Sequence, residues 1–243
     1  MRRFADLHLN ISKEEDVKDV LSFLTKLGYG MVGLVSDLNG KKVEDWKKIG
    51  ESLGIDVVSR INLQPASTGE LLRMLRKLRR RFEVIAVICT SKHVARLAAR
   101  DRRVDLLVFP TRNLNFFDNS EAQLASKSNA CLELNIKHII ETPRRFLPKV
   151  LFELKRVVKI AKKYEVPIIT CSGATCIYEV KAPKDLASIP YILGLTEEEA
   201  LQTVLLNPKA IVEKNRIKLS KNFVGVGVYV LEREEDVKKF NCE

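Results

Sequence analysis

Residues 84–89 have the sequence Val84-Ile85-Ala86-Val87-Ile88-Cys89, an apolar run without a single charge. A strand with one face in water alternates apolar and polar residues, whereas a strand covered on both faces is apolar almost throughout. The preceding residues Leu71, Leu75, Leu78 and Phe82 recur instead at the spacing of a helix with one apolar face. This part of the chain therefore predicts an amphipathic helix followed by a buried strand.

Six further runs of the same kind are spread along the chain. They are Phe4–Leu9, Met31–Ser36, Ile55–Ile61, Val104–Phe109, Ala130–Leu134 and Val166–Cys171. Each is followed by a stretch long enough for a helix, which is typical of parallel βα units. No glycine-rich nucleotide turn follows the first run, and the even spacing leaves no switch point for an open sheet. The pattern favours an α/β fold, a TIM-like barrel of seven parallel strands.

The pattern changes after residue 185. Two helices are predicted at 185–193 and 197–206, followed by a late strand at 224–231 that either covers a barrel edge or closes the barrel as an eighth strand. We expect one domain over residues 1–243, with residues 207–243 as a C-terminal extension. No run of about 18 apolar residues is present, so we expect no membrane partner and a cytoplasmic location.

The charge balance points to a polyanion. The chain has 42 Lys and Arg against 31 Asp and Glu, a net charge of +11. Such an excess concentrates nucleic acid around a protein. Two basic stripes with helical spacing stand out on neighbouring predicted helices, and we expect them to bind RNA phosphates: Arg73, Arg76, Lys77 and Arg80, and then Lys92, Arg96, Arg100 and Arg103. The alternative is two solvated, ion-paired helix faces.

Function in a parallel barrel collects after the carboxyl ends of the strands. The polar residues expected to contact phosphate around this mouth are Arg60, Arg112, Lys137, Arg145, Ser172, Lys181 and Lys184. These side chains are better suited to binding a phosphate group or a protein backbone than to activating a water molecule for catalysis. Phe116 and Phe117 either stack on bases or form an apolar lid or docking point.

A metal centre is difficult to assemble from this sequence. Only three histidines are present, His8, His93 and His138, and the plausible ligands reduce to Asp6, His8 and Glu133. We interpret these three as a vestigial pocket in which His8 is a satisfied core residue. The alternative is a metal-dependent phosphoesterase that uses the same three side chains. No catalytic residue is expected, since Ser172 has no histidine near it in sequence.

Several weak motifs in a specific order carry a family resemblance. They are Lys163-Tyr164-Glu165-Val166-Pro167, Ser172-Gly173-Ala174, Lys181-Ala182-Pro183-Lys184-Asp185-Leu186, Gly194-Leu195 with Glu197 to Ala200, and Asn207-Pro208. Together with the Asp6-Leu7-His8 start, Arg60, Glu133 and Arg145, they make the chain similar to the archaeal ribonuclease P protein component 3 family, relatives of the eukaryotic thirty-kilodalton subunit. Lys137, Lys181 and Lys184 depart from it, because arginine is common at or near those positions.

The resemblance implies a degenerate barrel of the polymerase-and-histidinol-phosphatase type that has lost its metal ligands. It implies a protein subunit of ribonuclease P, the ribonucleoprotein that removes the 5′ leader from precursor tRNA with RNA as the catalyst. The implied partners are the ribonuclease P RNA, precursor tRNA, a small ferredoxin-like protein subunit in a dimer of heterodimers, and further proteins of the complex. No cofactor is expected on this chain, and magnesium is expected with the RNA. A barrel that only docks proteins is the remaining alternative.

Overall fold

The structure is a computed structural model that describes residues 4–11, 14–40, 42–220, 222–225 and 228–230. Its strands are β1 (Phe4–Leu9), β2 (Tyr29–Val35), β3 (Asp56–Leu63), β4 (Val84–Ile88), β5 (Leu106–Val108), β6 (Cys131–Asn135), β7 (Ile168–Cys171), β8 (Phe223–Gly225) and β9 (Val228–Tyr229). Its helices are α1 (Glu14–Lys26), α2 (Val43–Leu53), α3 (Thr68–Leu78), α4 (Lys92–Arg100), α5 (Asn119–Ser128), α6 (Ile136–Ile140), α7 (Leu147–Lys163), α8 (Pro183–Ile192), α9 (Glu197–Gln202) and α10 (Leu206–Leu219), with 3-10 helices at Thr111–Phe116 and Ile177–Glu179.

Strands β1 to β7 form one parallel sheet in sequence order. The prediction of seven parallel strands is confirmed, and the strand ends move by a few residues. The largest change is at β5, predicted from Val104 to Phe109. It is shorter because the Val104 N–H donates to Asp101 O in a turn, and because Pro110 has no N–H to continue the ladder.

The sheet is nearly closed into a barrel, and the closure does not use an eighth strand. At the carboxyl ends, β7 and β1 meet through Gly173 N–H to His8 O (3.1 Å) and Asn10 N–H to Ala174 O (2.8 Å). At the amino ends, the chain between α9 and α10 fills the gap between β7 and β1. The Thr170 N–H donates to Thr203 O at 3.2 Å, and the Ala5 N–H donates to Val204 O at 2.8 Å.

The late strand of the sequence analysis forms a separate hairpin. β8 and β9 pair antiparallel with each other and not with the barrel. Positions 226, 227 and 231 of the predicted strand lie outside the described residues, as do residues 232–243. Of the two roles left open by the sequence, closure as an eighth strand is excluded for the described part.

Helix α10 covers the amino-terminal end of the barrel, which we call the bottom. Ile211 and Val212 pack inside it against Ala5 and Leu106, and the Asn215 side chain donates to Glu83 O at 2.8 Å. The predicted helix 197–206 instead ends at Gln202, and α10 begins at Leu206. In the described part of the chain, no helix is long and apolar enough to cross a bilayer.

The helices bury one face each against the sheet. Leu71, Leu75 and Leu78 of α3 are buried as the helical spacing predicted, and Phe82 follows them into the core. The Ser67 hydroxyl caps this helix by accepting from Glu70 N–H. The opposite faces of these helices are left for charged side chains.

Candidate functional site

A buried arginine lies inside the barrel. Arg60 on β3 has no exposed surface. Its Nη2 lies 2.7 Å from Glu133 Oε2, its Nη1 donates to Leu7 O at 2.9 Å, and its Nε donates to Asn62 Oδ1 at 2.8 Å. Arg60 is therefore a structural cation inside the barrel, and not the phosphate contact at the mouth that the sequence predicted.

His8 on β1 is held neutral in this network. Its Nδ1 lies 2.6 Å from Glu133 Oε1, and because an ionised carboxylate only accepts, Nδ1 carries the proton. Its Nε2 then accepts from the Asn62 side-chain amide at 3.1 Å. Burial and the charge of Arg60 lower the pKa of His8, against the opposing effect of Glu133. Both ring nitrogens are thus engaged within the protein.

Glu133 on β6 is the anion that joins these residues. Burial raises the pKa of this carboxyl, but the charge of Arg60 and the hydrogen bonds from Arg60 and His8 outweigh burial and lower the pKa to about 2. Glu133 is therefore ionised at neutral pH, and its charge is balanced by Arg60.

Asp6 and Ser172 complete the pocket on the side of β7. The Asp6 carboxylate accepts the His8 N–H at 3.1 Å and the Ser172 N–H at 3.2 Å. The Ser172 hydroxyl accepts from Ala174 N–H at 3.2 Å, and the residue is buried. Ser172 therefore shapes the loop after β7 and is not an exposed phosphate contact.

The pocket does not fit a divalent metal ion. The guanidinium of Arg60 already supplies the positive charge beside Glu133, both nitrogens of His8 are occupied, and Asp6 faces backbone N–H groups. Within the ranges that the structure describes, no group of three or more His, Cys, Asp or Glu side chains could hold a metal. The arrangement supports the vestigial pocket and disfavours the phosphoesterase alternative, which needs convergent free ligands.

Asp6 gives the pocket a measurable pH dependence. Burial raises the pKa of its carboxyl from 3.8 to about 6, although hydrogen bonds from Ser172 and His8 act in the opposite direction. Since the folded state holds this proton more tightly, Asp6 costs no stability below pH 3.8, its cost grows as the pH rises through this window, and the full penalty from Asp6 is present above pH 6. Each unit of difference between the folded and unfolded pKa corresponds to about 1.4 kcal/mol, so ionised Asp6 lowers the free energy of unfolding by about 3 kcal/mol.

We expect Asp6→Asn to remove this penalty. Relative to the parent, the variant should gain about 2–3 kcal/mol of unfolding free energy between about pH 4 and pH 7.5, measured by urea unfolding at each pH. Asp19→Asn, which removes an exposed carboxylate from α1, is the matched control. A pH-independent difference between Asp6→Asn and the parent would contradict the assignment.

The two basic stripes differ in how far their charges are compensated. On α3 and the turn after it, Arg73, Arg76, Lys77 and Arg80 are exposed, and so is Arg100 at the end of α4. None of these five forms an ion pair with any described residue. They remain the candidate phosphate contacts, because free charge is what a polyanion can use.

Three predicted RNA contacts of the second stripe are instead ion-paired. The Lys92 ammonium bonds to Glu121 and lies 2.7 Å from Asp118. Arg96 Nε lies 3.2 Å from Glu121, and Arg103 pairs with Asp101 at 2.6 Å. Carboxylates from α5 and from the turn after α4 therefore compensate the charges of Lys92, Arg96 and Arg103, and their contact with RNA stays a prediction.

A further group of cations at the barrel bottom was not predicted. Lys214 and Lys218 lie one turn apart near the end of α10. Burial and the like charges of Lys214, Arg79 and Arg102 lower the pKa of Lys218, with Asp105 opposing. The i, i+4 spacing of the two lysines was the available signal. The signal was missed because this segment was expected to be a C-terminal extension of the barrel.

The three lysines expected at the barrel mouth have different surroundings. Lys137 is tied to Glu179 at 2.7 Å and to Thr175 at 3.0 Å, so its charge is compensated. Lys181 is half-buried, and its carbonyl accepts from the Tyr29 hydroxyl. Lys184 is exposed and lines a side cavity of 630 Å³. The three lysines therefore differ in their exposure and in the groups that they contact.

Arg112 and Arg145 lie together at one side of the mouth. Arg112 lines a cavity of 770 Å³ that Phe146 also borders, and the Arg145 guanidinium lies 4.6 Å from the Phe146 ring centroid. Of the two predicted aromatic contacts, Phe117 is fully buried and packs against the core, so it cannot stack on a base. Phe116 is half-buried.

Comparison with known proteins assigns the chain to a family. Residues 3–220 match the RNase P subunit p30 family. The chain belongs to this family. It is 28% identical to ribonuclease P protein component 3 of Methanosarcina mazei over 226 residues, which cover 90% of this chain and 91% of that protein.

Solved structures show the same architecture at lower identity. A chain in the cryo-EM structure of archaeal ribonuclease P with mature tRNA superposes with a TM-score of 0.81 at 22% identity, covering 93% of this chain and 98% of that one. The A. niger ochratoxinase barrel superposes with a TM-score of 0.58 at 14% identity, covering 87% of this chain and 71% of the enzyme. These likenesses show the fold alone, and membership of the p30 family rests on the sequence match.

Proposed function

We propose that this chain is an RNA-binding protein subunit of ribonuclease P, which removes the 5′ leader from precursor tRNA. The RNA performs the cleavage, and the protein neutralises phosphates and supports the RNA fold. The observation that carries the proposal is the contrast between the barrel interior and the surface. Inside the barrel Glu133 compensates the charge of Arg60, while exposed cations on α3, on the turn after it and at the end of α4 form no ion pair with a described residue: Arg73, Arg76, Lys77, Arg80 and Arg100.

The charge distribution supports electrostatic binding. A folded RNA presents regularly spaced phosphates, and each one neutralised by Lys or Arg releases a counterion. Helices α3 and α4 pack side by side, so the exposed cations of both lie on neighbouring elements. Arginine also offers the two-pronged geometry that matches a phosphate, which lysine lacks.

The partners follow from the family name and from the resemblance in the sequence. We propose the ribonuclease P RNA and precursor tRNA as RNA partners, and a small ferredoxin-like subunit together with other proteins of the complex as protein partners. The pocket of Asp6, His8 and Glu133 does not fit a metal, so we place the magnesium ions on the RNA.

The decisive experiment is reconstitution of precursor-tRNA cleavage with and without this chain. We expect the complete set of RNA and proteins to cleave faster than the set that lacks the chain. The advantage should shrink between about 50 and 200 mM salt, because counterion release weakens RNA binding. The measured quantity is the initial rate of leader release at each salt concentration.

Two results would contradict the proposal. Cleavage of precursor tRNA by the purified chain without RNA would place the catalytic groups in the protein. An equal rate with and without the chain, together with salt-tolerant assembly, would favour a barrel that only docks proteins. A separate assay tests the phosphoesterase alternative. The parent protein and His8→Ala are each incubated with Mg²⁺ and a chromogenic phosphate ester, and we expect no difference in hydrolysis between them.

A further inference from the structure

A cavity opens at the mouth between the 3-10 helix Thr111–Phe116 and the first turns of α7. Its volume is 770 Å³, within the range of about 300–1,000 Å³ that is usual for small-ligand sites. Thr111, Asn115 and Thr142 supply hydroxyl and amide groups to its wall. The cavity is therefore large enough and polar enough to hold one nucleotide.

The cavity carries uncompensated positive charge. Of its two carboxylates, Glu153 is paired with Arg156 at 2.9 Å, whereas exposed Glu141 lies 3.7 Å from the Lys137 ammonium, which is also paired with Glu179. Arg112 and Lys149 also line the wall, are exposed, and form no ion pair with any described residue. The free charges favour an anionic ligand over a neutral or cationic one.

An exposed aromatic ring stands at the edge of the same cavity. Phe146 is 48% exposed, and the Arg145 guanidinium lies 4.6 Å from its ring centroid. Proteins recognise unpaired RNA bases by stacking them on aromatic rings and on arginine planes, while nearby cations hold the phosphates. A phenylalanine with this exposure, set beside three arginine and lysine side chains, matches that chemistry.

We propose that this cavity binds an unpaired nucleotide of RNA. The base stacks on Phe146 or Arg145, and the phosphate is held by Arg112 and Lys149. The proposal rests on the proposed function, which brings RNA to this chain, and adds a site for a single-stranded segment to the phosphate contacts on α3 and α4. An acidic or apolar protein segment would be a different occupant, and the test separates the two.

The test uses the full chain and a labelled six-nucleotide single-stranded RNA, with a duplex of the same length as reference. Phe146→Ala should weaken single-strand binding about tenfold or more, because stacking is lost. Phe152→Ala is the matched control: Phe146 is the N-cap residue of α7, whereas Phe152 lies within this helix, is 71% exposed, and does not line the cavity. Phe146→Trp should retain binding.

A second pair of variants tests the phosphate. Lys149→Gln should weaken binding and its salt dependence, whereas Lys155→Gln, on α7 outside the cavity, should leave both near the parent values. Photocrosslinking with 4-thiouridine in the same RNA supplies a readout that does not depend on variant folding. We expect the crosslinked peptide to contain Phe146 or Arg112.

The outcomes separate this proposal from the subunit function. Equal losses for Phe146→Ala and Phe152→Ala, equal binding of single strand and duplex, or crosslinks outside the cavity would overturn the nucleotide site. Loss of the cavity crosslinks on adding the protein partners, without RNA displacement elsewhere, would show a protein occupant and also overturn it. In each of these cases, stimulation of precursor-tRNA cleavage by the parent chain would leave the subunit function standing.

Discussion

Replacing Arg60 with methionine is expected to lower the free energy of unfolding by about 3–5 kcal/mol, the usual cost of breaking a buried ion pair. The reason is that Glu133 would keep its charge inside the barrel, with its Arg60 partner at 2.7 Å removed. The Leu7 carbonyl and the Asn62 side chain would also lose their donors. Urea unfolding followed by circular dichroism measures the change.

Two comparisons identify the mechanism of that loss. Arg80→Met removes an exposed cation and should cost about 0.5 kcal/mol or less. Arg60→Met combined with Glu133→Leu should be more stable than Arg60→Met alone, because no charge is left unpaired. The cost of Arg60→Met should also fall at lower pH as Glu133 becomes protonated. A cost below about 1 kcal/mol at neutral pH would show that Arg60 does not balance a buried charge.

The barrel was predictable because its signal is carried by side chains. Runs such as Val84–Cys89 are apolar on both faces, and only a parallel sheet covered by helices buries them. The way in which the barrel closes was not predictable. It depends on backbone carbonyls of Thr203 and Val204 that accept from Thr170 and Ala5, and backbone pairing of this kind leaves no mark on the sequence.

The positions of site residues were predictable where they follow from the place of a residue on its strand. Asp6, His8 and Glu133 do lie together, since parallel strands bring their carboxyl ends to one edge. The role of Arg60 was not predictable, because its burial depends on a carboxylate from a strand that is distant in sequence. The pairing of Lys92 with Glu121 was hidden for the same reason: the partner belongs to the next helix.

The largest effect on RNA binding is expected from removing the free charges of α3 and α4 together. The variant carries Gln at Arg73, Arg76, Arg80 and Arg100, all exposed and without an ion pair to a described residue. Arg96 is left in place because Glu121 already compensates it. Each lost phosphate contact flattens the slope of log affinity against log salt by about 0.7–0.9. Between about 50 and 200 mM salt, the parent should therefore lose roughly 100-fold more affinity than the variant.

A control of equal net charge decides whether position matters. Gln at Lys18, Lys26, Lys155 and Lys159 removes four exposed cations from α1 and α7 instead. If binding reflects the stripe, this control keeps a salt slope close to that of the parent, and filter binding to the ribonuclease P RNA separates the two variants. If both variants flatten the slope equally, the RNA responds only to the overall charge of +11, and the face formed by α3 and α4 has no special role.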